Sequence, residues 1–250
     1  MPKSSRKANF PSDELLEEIL PNDHSRQSSA FQLAREILSQ SNSFRTVLDL
    51  GCGLADSKES FSQLDVNLRW FGIDLLSSPE VDRRRLVEKI CAYDGVHLPF
   101  PTACFDLVYS RQVLEHVLDP IHLIHEVSRI IKPTGFFVGS VSYLEQYHSY
   151  STWNWTPYGL YKCLDANGFE LLTLRPGIDG LTLAIRAQGL RGSFCDRFFE
   201  NESPLNVIIG GIGRIRKKRH CAINAFKLRF AGHICFVARS SRVDVERFHS

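Results

Sequence analysis

The 250-residue chain lacks any apolar run that approaches the length of a membrane span. About 20 consecutive apolar residues are needed to cross a bilayer as a helix, so the sequence predicts no transmembrane segment. The basic residues of segment 1–7 are not followed by an apolar core. A secretory signal needs such a core, and we therefore expect none here.

Cysteine is also used in a way that excludes two classes of protein. The chain has 7 cysteines, an odd number, and no two of them form a C-x-x-C pair. Disulfide frameworks use even, regularly spaced cysteines, and structural zinc sites use closely spaced pairs. The sequence therefore predicts no disulfide framework, no metal site and a reducing, cytoplasmic location.

Net charge is only +2, but the two parts of the chain carry opposite charge. Residues 1–170 contain 16 Lys and Arg against 22 Asp and Glu, whereas residues 171–250 contain 14 against 6. The basic residues are densest in the run 214–220, RIRKKRH. Such a run can face nucleic acid, anionic lipid or a phosphorylated substrate, or form a solvated helix face. The sequence leaves these alternatives open, including peripheral membrane contact through 214–220.

The most informative stretch is VLDLGCGLAD at residues 47–56. A short apolar run ends in an acidic residue and then turns on two glycines, Gly51 and Gly53. Glycine allows a tight turn and lets a ligand approach the backbone without a Cβ in the way. A lone G-x-G also occurs in ordinary turns. The elements that follow must therefore decide whether this stretch is an ordinary turn or a ligand-binding loop.

A second apolar run, residues 69–74, ends in Asp74, which follows Gly53 by 21 residues. A carboxylate at the tip of the second strand can accept two hydrogen bonds from a ribose. Further strands are predicted at 105–110 and 136–141. Between them lies a predicted helix that Asp119 opens and residues 132–135 stop. Strands and helices that alternate in this way are typical of a parallel sheet.

From about Thr46 to Val141 the chain resembles the class I S-adenosylmethionine-dependent methyltransferases with a D-x-G-C-G turn. The resemblance implies an α/β fold: a doubly wound, mostly parallel seven-stranded Rossmann-like sheet with an antiparallel last strand and a C-terminal insertion. It also implies S-adenosylmethionine as cofactor, bound by residues at the ends of four strands: Asp49, Gly51, Cys52, Gly53, Asp74, Leu75, Asp94, Gly95 and Ser110. In this scheme Asp74 binds the ribose and Asp94 meets the adenine amino group. Ala55 departs from the pattern, since many members carry a third glycine at that position.

Domain boundaries follow from the same alignment of elements. Residues 1–43 are interpreted as an N-terminal tail with helices at 13–20 and 28–38, and 44–240 as the methyltransferase domain. Mixed signals between the last two predicted strands indicate an insertion at about 178–230. Residues 241–250 form a C-terminal tail.

Two histidines are candidate general bases for a hydroxyl acceptor. Ligands sit outside the carboxyl ends of parallel strands, and His116 and His148 follow the fourth and fifth predicted strands. His148 is the preferred base, because Tyr150, Trp153 and neighbouring polar residues could form an acceptor pocket wall. The polar side of the helix opened by Asp119 carries His122, His125, Glu126 and Arg129. The two histidines lie three residues apart, but a solvated helix face is favoured there over a metal site.

The predicted function is methylation of a small molecule, with O-methylation of a glycan or related metabolite as the narrower hypothesis. The region 147–168 is similar to methyltransferases of surface-glycan pathways. An NAD(P)-dependent oxidoreductase is one alternative, although Asp56 would repel a pyrophosphate at the helix N-terminus. A non-catalytic methyltransferase-like binding protein is another. No N-P-P-Y-type motif follows the fourth strand, so nucleic acid is an unlikely substrate. The sequence leaves the oligomeric state open.

Overall fold

A computed structural model describes residues 18–40, 43–75, 90–145, 148–189 and 193–242. Its centre is one seven-stranded sheet with the order β3-β2-β1-β4-β5-β7-β6. The strands are β1 (Thr46–Leu50), β2 (Arg69–Leu75), β3 (Ile90–Tyr93), β4 (Phe105–Arg111), β5 (Ile131–Ser142), β6 (Phe169–Pro176) and β7 (His233–Ser240). β7 pairs antiparallel with both β5 and β6, while the β3-β2-β1-β4-β5 pairs are parallel. The predicted mostly parallel sheet with an antiparallel last strand is confirmed.

Eight α-helices and one 3₁₀ helix lie within the described residues. They are α1 (Ala30–Ser39), α2 (Ser57–Leu64), α3 (Pro120–Ile130), α4 (Pro157–Ala166), α5 (Gly180–Ala187), α6 (Ser193–Asp196), the 3₁₀ helix (Arg197–Phe199), α7 (Pro204–Ile215) and α8 (His220–Leu228). The predicted helix 13–20 lies mostly outside the described residues. The predicted helix 28–38 is α1, and its N-cap is Ser29, whose side chain accepts a hydrogen bond from the Gln32 N–H. This reciprocal capping box satisfies two backbone donors that the helix itself cannot.

Helix α3 begins as predicted and ends earlier than predicted. The Asp119 carboxylate accepts a 3.0 Å hydrogen bond from the His122 N–H, and Pro120 occupies the first turn. We predicted that residues 132–135 would stop the helix, but Ile131 is already extended and begins β5. The residue before Pro133 is disfavoured in helical conformation, which gives a physical reason for the earlier end.

The strands bury both faces, so the sheet separates two apolar layers. Leu48 and Val108 belong to one core cluster, whereas Val47 and Leu107 belong to the other. Because side chains alternate along each strand, residues just past the strand ends are those left free to meet a ligand. The candidate site lies at the carboxyl ends of β1 to β5.

The segment between β6 and β7 is helical and packs against the N-terminal part of the chain. Gln27 Nε2 donates to the carbonyl oxygens of Phe198 (2.6 Å) and Asn201 (2.9 Å). Gln27 Oε1 accepts from Ser203 Oγ (2.9 Å) and Asn206 Nδ2 (2.8 Å). One buried amide therefore ties the α6–α7 region to the start of the chain. Within the described ranges, no helix is both long enough and apolar enough to cross a bilayer.

Candidate active site

The glycine turn after β1 is held by the neighbouring strand. The N–H groups of Gly51 and Cys52 both donate to the carbonyl oxygen of Ile73, at 2.8 and 3.1 Å. Gly51 and Gly53 have φ of +71° and +50°, a region that side chains rarely adopt. A Cβ at Gly51 would lie 2.3 Å from Val113 Cγ2, whereas one at Gly53 would meet no atom within 4 Å. Gly51 is thus required by packing, and Gly53 faces open space.

Ala55 occupies the position where the family pattern often has a third glycine. Its φ is +66°, and its N–H donates to the Cys52 carbonyl oxygen at 2.7 Å. The left-handed conformation costs an alanine about 1 kcal/mol. The turn therefore keeps the backbone shape that suits glycine although the glycine itself is absent.

Asp74 joins the tips of β1 and β2. Its Oδ2 accepts a 2.8 Å hydrogen bond from the Gly53 N–H, and its Oδ1 accepts a 2.7 Å bond from the Leu75 N–H. The side chain is buried. Asp74 thereby fixes the turn and presents a carboxylate beside it.

Asp49 is the second buried acid of this edge. Its carboxylate accepts a hydrogen bond from Ser57 Oγ, and Ser57 Oγ in turn accepts one from Trp70 Nε1 at 3.0 Å. Burial raises the pKa of Asp49 to about 7, although the Ser57 hydrogen bond opposes this. A carboxylate so placed changes its charge near neutral pH.

The end of β3 lies next to the end of β2. Gly95 has φ of +90°, and a Cβ there would lie 3.1 Å from Leu75 Cδ2. The Asp94 carboxylate accepts hydrogen bonds from the N–H groups of Val96 (2.8 Å) and His97 (2.7 Å), and it pairs with His97 Nδ1 (2.9 Å). The His97 side chain and these backbone bonds hold the pKa of Asp94 well below its usual range. Asp94 therefore shapes its own loop, and its contact with an adenine remains a prediction.

A cleft of about 260 Å³ opens in front of the glycine turn. Asp49 and Asp56 line it on the turn side, and Tyr109 and Arg111 line it from β4. Ser110 lies between those two residues on β4, so its side chain points to the opposite face of the sheet. Its Oγ is buried and has no hydrogen-bond partner among the described residues. Ser110 does not line this cleft.

A second cavity of about 320 Å³ lies beside the first and also reaches Arg111. Its wall includes Gln112 and Ser140 at the ends of β4 and β5, together with His148 and His233. Arg111 connects the two cavities, and the sequence analysis did not identify it. Its position as the last residue of a parallel strand is the signal that could have done so.

His148 belongs to a hydrogen-bonded cluster that also contains Glu145 and His233. Glu145 Oε2 lies 2.7 Å from His148 Nδ1 and 2.6 Å from His233 Nε2. Burial alone would raise the pKa of Glu145, but the two histidines outweigh it and lower this pKa to about 2. Burial would lower the pKa of His148, but the Glu145 hydrogen bond and charge raise it above the ordinary value.

His116 and Glu115 complete this group from the loop after β4. The rings of His116 and His148 lie 4.9 Å apart, and burial together with the His148 charge lowers the pKa of His116. Glu115 is fully buried, and burial raises its pKa to about 7. Its Oε1 accepts a 3.2 Å bond from the Ser142 N–H, while Oε2 has no partner among the described residues. The structure thus brings both predicted bases together.

Donor atoms of Glu145, His148 and His233 lie within 4.8 Å of one another, as do those of Glu115, His116 and His148. Such spacing could accommodate a metal ion, but Glu145 already bonds directly to both of its histidines. The absence of a metal site stays a prediction.

Some of the surroundings differ from the sequence interpretation. Tyr150 and Trp153 are exposed, whereas Trp155 is buried in the core, so these aromatics do not line the His148 cavity. Glu126 was expected on a solvated helix face, yet it is buried. Its carboxylate accepts a 3.0 Å hydrogen bond from the Leu98 N–H and forms a 2.7 Å ion pair with Arg129. Glu126 thereby holds the loop before β4 against α3.

Comparison with known proteins agrees with this geometry. Residues 48–139, which run from β1 through the glycine turn to β5, match the family model described as methyltransferase domain. This match supports the class I S-adenosylmethionine-dependent methyltransferase superfamily for the segment from β1 to β5.

Two curated relatives and one solved structure illustrate the range of similar proteins. A ubiquinone biosynthesis O-methyltransferase of Hydrogenovibrio crunogenus is 32% identical over 39% of this chain and 42% of its own length. The mitochondrial arginine-hydroxylase NDUFAF5 of Danio rerio is 27% identical over 48% of this chain and 37% of its own length. The Burkholderia thailandensis 1,6-didemethyltoxoflavin-N1-methyltransferase, solved with S-adenosylhomocysteine, has a TM-score of 0.51 at 16% identity, covering 85% and 79% of the two chains. The chain spans about two fifths of the length of these curated relatives.

Proposed function

We propose that this chain is an S-adenosylmethionine-dependent O-methyltransferase acting on a small hydroxylated molecule. The observation that carries the proposal is the pair of adjoining cavities that share Arg111. One contains the glycine turn, and the other contains His148. A donor and an acceptor placed in these two cavities would meet at the carboxyl ends of β4 and β5.

The residues of the first cavity fit the cofactor. Gly53 leaves open space where a side chain would stand. Asp49 and Asp56 give the cleft carboxylates that suit a cationic sulfonium, although Arg111 contributes a positive charge at its far side. Asp74, Leu75, Asp94 and Gly95 do not line this cleft, but they lie at or just past the carboxyl ends of β2 and β3. There they would hold the nucleoside, with Asp74 accepting the ribose hydroxyls.

The same residues argue against a nicotinamide dinucleotide. Asp56 is the N-cap residue of α2 and is exposed in the cleft. A phosphate is normally bound at a helix N-terminus by free N–H groups and the helix dipole. A carboxylate at this point would repel a pyrophosphate, whereas S-adenosylmethionine carries no phosphate.

The cofactor supplies an activated methyl group, so the chain itself must position the acceptor, exclude water and take up a proton. Glu145 bonds His148 at Nδ1 and so orients the ring. Nε2 lies 3.9 Å from Glu115 Oε1, beyond hydrogen-bond distance, and is the nitrogen that would accept the hydroxyl proton. An imidazole held by a carboxylate at its other nitrogen is a common way of fixing a base. His116, with its lowered pKa, is the second candidate base.

The acceptor class is inferred from the walls near this base. A cavity of about 560 Å³ reaches Glu145 from the other side, with apolar side chains such as Tyr143, Leu183 and Phe230. An acceptor with a hydroxyl and an apolar part suits it. The name of the Hydrogenovibrio relative specifies O-methylation, which supports an oxygen acceptor. Sugars and other glycan precursors are hydroxyl acceptors too and belong in the same screen.

The first test is calorimetric titration of the purified chain with S-adenosylhomocysteine, with NAD and NADP in parallel. Micromolar binding of S-adenosylhomocysteine alone would support the cofactor, and a labelled-methyl assay against phenols and sugars would follow. Binding of a nicotinamide nucleotide would favour the oxidoreductase alternative. Binding of none of the three would favour a non-catalytic role.

A further inference from the structure

Helix α7 exposes its apolar side. Four residues, Val207, Ile208, Ile212 and Ile215, are 49%, 56%, 47% and 83% exposed. With 3.6 residues per turn they fall on one face, which we call the apolar ridge. A surface helix normally turns its apolar stripe inward and its polar face to water, so the ridge is the reverse of the usual arrangement.

The orientation of α7 is fixed by its inner face. Asn206 is fully buried, and its Nδ2 donates to Gln27 Oε1 (2.8 Å) and to the Gly177 carbonyl oxygen (2.9 Å). A Cβ at Gly213 would lie 2.6 Å from Ile223 on α8, so the two helices touch there through the glycine. A rotation that buried the ridge would break both the buried hydrogen bonds and this close contact. The exposed face is therefore built into the packing.

Five cations stand at the C-terminal end of the ridge. All five are exposed: Arg214 lies in the last turn of α7, and Arg216, Lys217, Lys218 and Arg219 form the turn between α7 and α8. We call them the basic turn. None of them pairs with a carboxylate among the residues described by the structure, and the sequence contains no Asp or Glu between Glu202 and Asp244. The described part of the chain therefore gives this charge no acidic partner.

Phe226 on helix α8 and Phe230, just after its end, add two aromatic side chains to the exposed apolar surface. Phe226 and Phe230 are partly exposed, and their rings lie 5.5 Å apart. Phe230 also lines the 560 Å³ cavity that reaches Glu145, together with Leu181 and Leu205. The exposed apolar residues of the hairpin thus continue to the mouth of that cavity.

We propose that the α7–α8 hairpin docks on the surface of a bilayer that contains anionic lipid. The ridge would insert among the acyl chains at the headgroup boundary, and the basic turn would bind the anionic headgroups. Apolar insertion combined with Lys and Arg beside it is the pattern of interfacial helices. Helix α7 has 12 residues, about 18 Å at 1.5 Å per residue, which suits a helix lying on a membrane.

The observations favour a membrane over other partners. A nucleic acid would bind the basic turn through its phosphates, because phosphate contacts dominate the affinity of proteins for nucleic acid. The neighbouring apolar ridge would then have no role. A second copy docked ridge to ridge would bring two uncompensated basic turns close together, unless the copies ran antiparallel. An anionic membrane satisfies both features at once.

The direct test is flotation of the purified full chain with vesicles of phosphatidylcholine, alone or mixed with phosphatidylglycerol. We expect binding to the mixed vesicles, little binding to phosphatidylcholine alone, and release as salt is raised. Because no cofactor is needed for flotation, the outcome is independent of the proposed methyl transfer. Equal binding to both vesicle types, or binding to neither at low salt, would overturn the proposal.

Matched variants separate the two features of the hairpin. The pair Ile212→Glu with Ile215→Glu, and the pair Arg216→Glu with Lys218→Glu, should each reduce vesicle binding by about tenfold or more. The apolar control is Val66→Glu with Leu118→Glu, and the charge control is Arg35→Glu with Lys162→Glu. These two controls replace four exposed residues outside the hairpin. Controls that lose binding as much as the hairpin variants would contradict the assignment of this surface.

A gain-of-signal variant covers the case in which a charged substitution disturbs folding. Ile215→Trp places a fluorophore at the most exposed ridge position. Its emission should shift to the blue with mixed vesicles and should be quenched by brominated acyl chains. An unshifted spectrum, or concentration-dependent dimers that Ile215→Glu dissolves without any vesicle binding, would show that the ridge serves another partner.

Discussion

The Asp74 carboxylate and the Gly53 N–H form a 2.8 Å hydrogen bond across the tips of β1 and β2. The glycine turn and the predicted ribose acid are therefore one unit, and a change in either must affect the other. This coupling matters for mutagenesis, because the loss of Asp74 removes both a ligand contact and a support of the turn.

Asp74→Ala should weaken S-adenosylhomocysteine binding by about 2 kcal/mol or more, since a charged acceptor is lost from the pocket. That corresponds to roughly a 30-fold rise in Kd, measured by calorimetry. Asp74→Asn keeps an oxygen that can accept from the Gly53 N–H, so it should lose less affinity. Asp65→Ala, on the loop after α2, is the control and should bind normally. Unchanged affinity in Asp74→Ala would remove the ribose assignment.

The two glycines of the turn should respond differently to alanine. Gly53→Ala meets only the backbone cost of a left-handed residue, about 1 kcal/mol. Gly51→Ala adds the overlap with Val113 at 2.3 Å, and overpacking of this kind costs about 1–3 kcal/mol more. Chemical unfolding should therefore rank Gly51→Ala as the less stable variant. The double variant with Val113→Ala should recover part of the difference; no recovery would mean that Val113 is not the obstacle.

Ala55→Gly should stabilise the protein slightly. Relief of the left-handed strain gains about 1 kcal/mol, and the extra freedom of glycine in the unfolded chain offsets about half of it. The remaining gain, about 0.5 kcal/mol, corresponds to roughly 1–2 °C in Tm. Ala103 also has a positive φ, +55°, but it is exposed whereas Ala55 is buried. Ala103→Gly loses no buried methyl group and should gain at least as much. A destabilised Ala55→Gly variant would argue against the left-handed backbone at this position.

Asp49 should make the unliganded protein less stable as pH rises from about 4 to about 7. Burial raises the pKa of Asp49 to about 7 from an ordinary 3.8. Its stabilising contribution is therefore fully present below the pKa of the unfolded chain, and it is lost as pH rises through the pKa of the folded protein. Asp49→Asn should remove this loss and be more stable than the wild type at pH 8, by an amount on the order of 2–4 kcal/mol.

Asp106 on β4 provides the control of opposite sign. Burial opposes its ionisation, but the ion pair with Lys132 at 2.7 Å and hydrogen bonds from Arg45 and Thr46 lower its pKa. The ionised Asp106 stabilises the protein above the ordinary pKa of an aspartate, and this stabilisation is lost as pH falls through the lowered pKa of the folded state. Asp106→Asn should therefore be destabilised at pH 7. Parallel unfolding curves for the Asp49 and Asp106 variants across pH 5–8 would contradict the Asp49 assignment. A destabilisation by Asp106→Asn that does not shrink below about pH 4 would contradict the Asp106 assignment.

The sheet and its cofactor edge were predictable because their signals are local. A buried strand that ends in a glycine turn, as at 47–53, needs no knowledge of distant residues. The cluster around His148 is different, since Glu145 and His233 are 88 residues apart in sequence and meet only where β7 pairs with β5. Likewise the burial of Glu126 depends on the Leu98 loop, which its helical spacing cannot reveal. Long-range packing accounts for what the sequence interpretation missed.

His148 should set the acidic limb of the pH–rate profile. A general base must be neutral to accept a proton, and Glu145 raises the pKa of His148 above 6.5. Turnover should therefore increase as pH rises through that elevated value. Glu145→Gln removes the charge that favours the protonated ring, so the limb should move to lower pH while S-adenosylhomocysteine affinity is kept. His148→Ala should lose turnover by about 10²-fold or more with cofactor binding intact. The control, His125→Ala on the outer side of α3, should change neither turnover nor cofactor binding.

If His148→Ala retains full activity and His116→Ala loses it, then His116 is the base. Its lowered pKa would then predict a rate that is already maximal at pH 7, which the same profile would reveal.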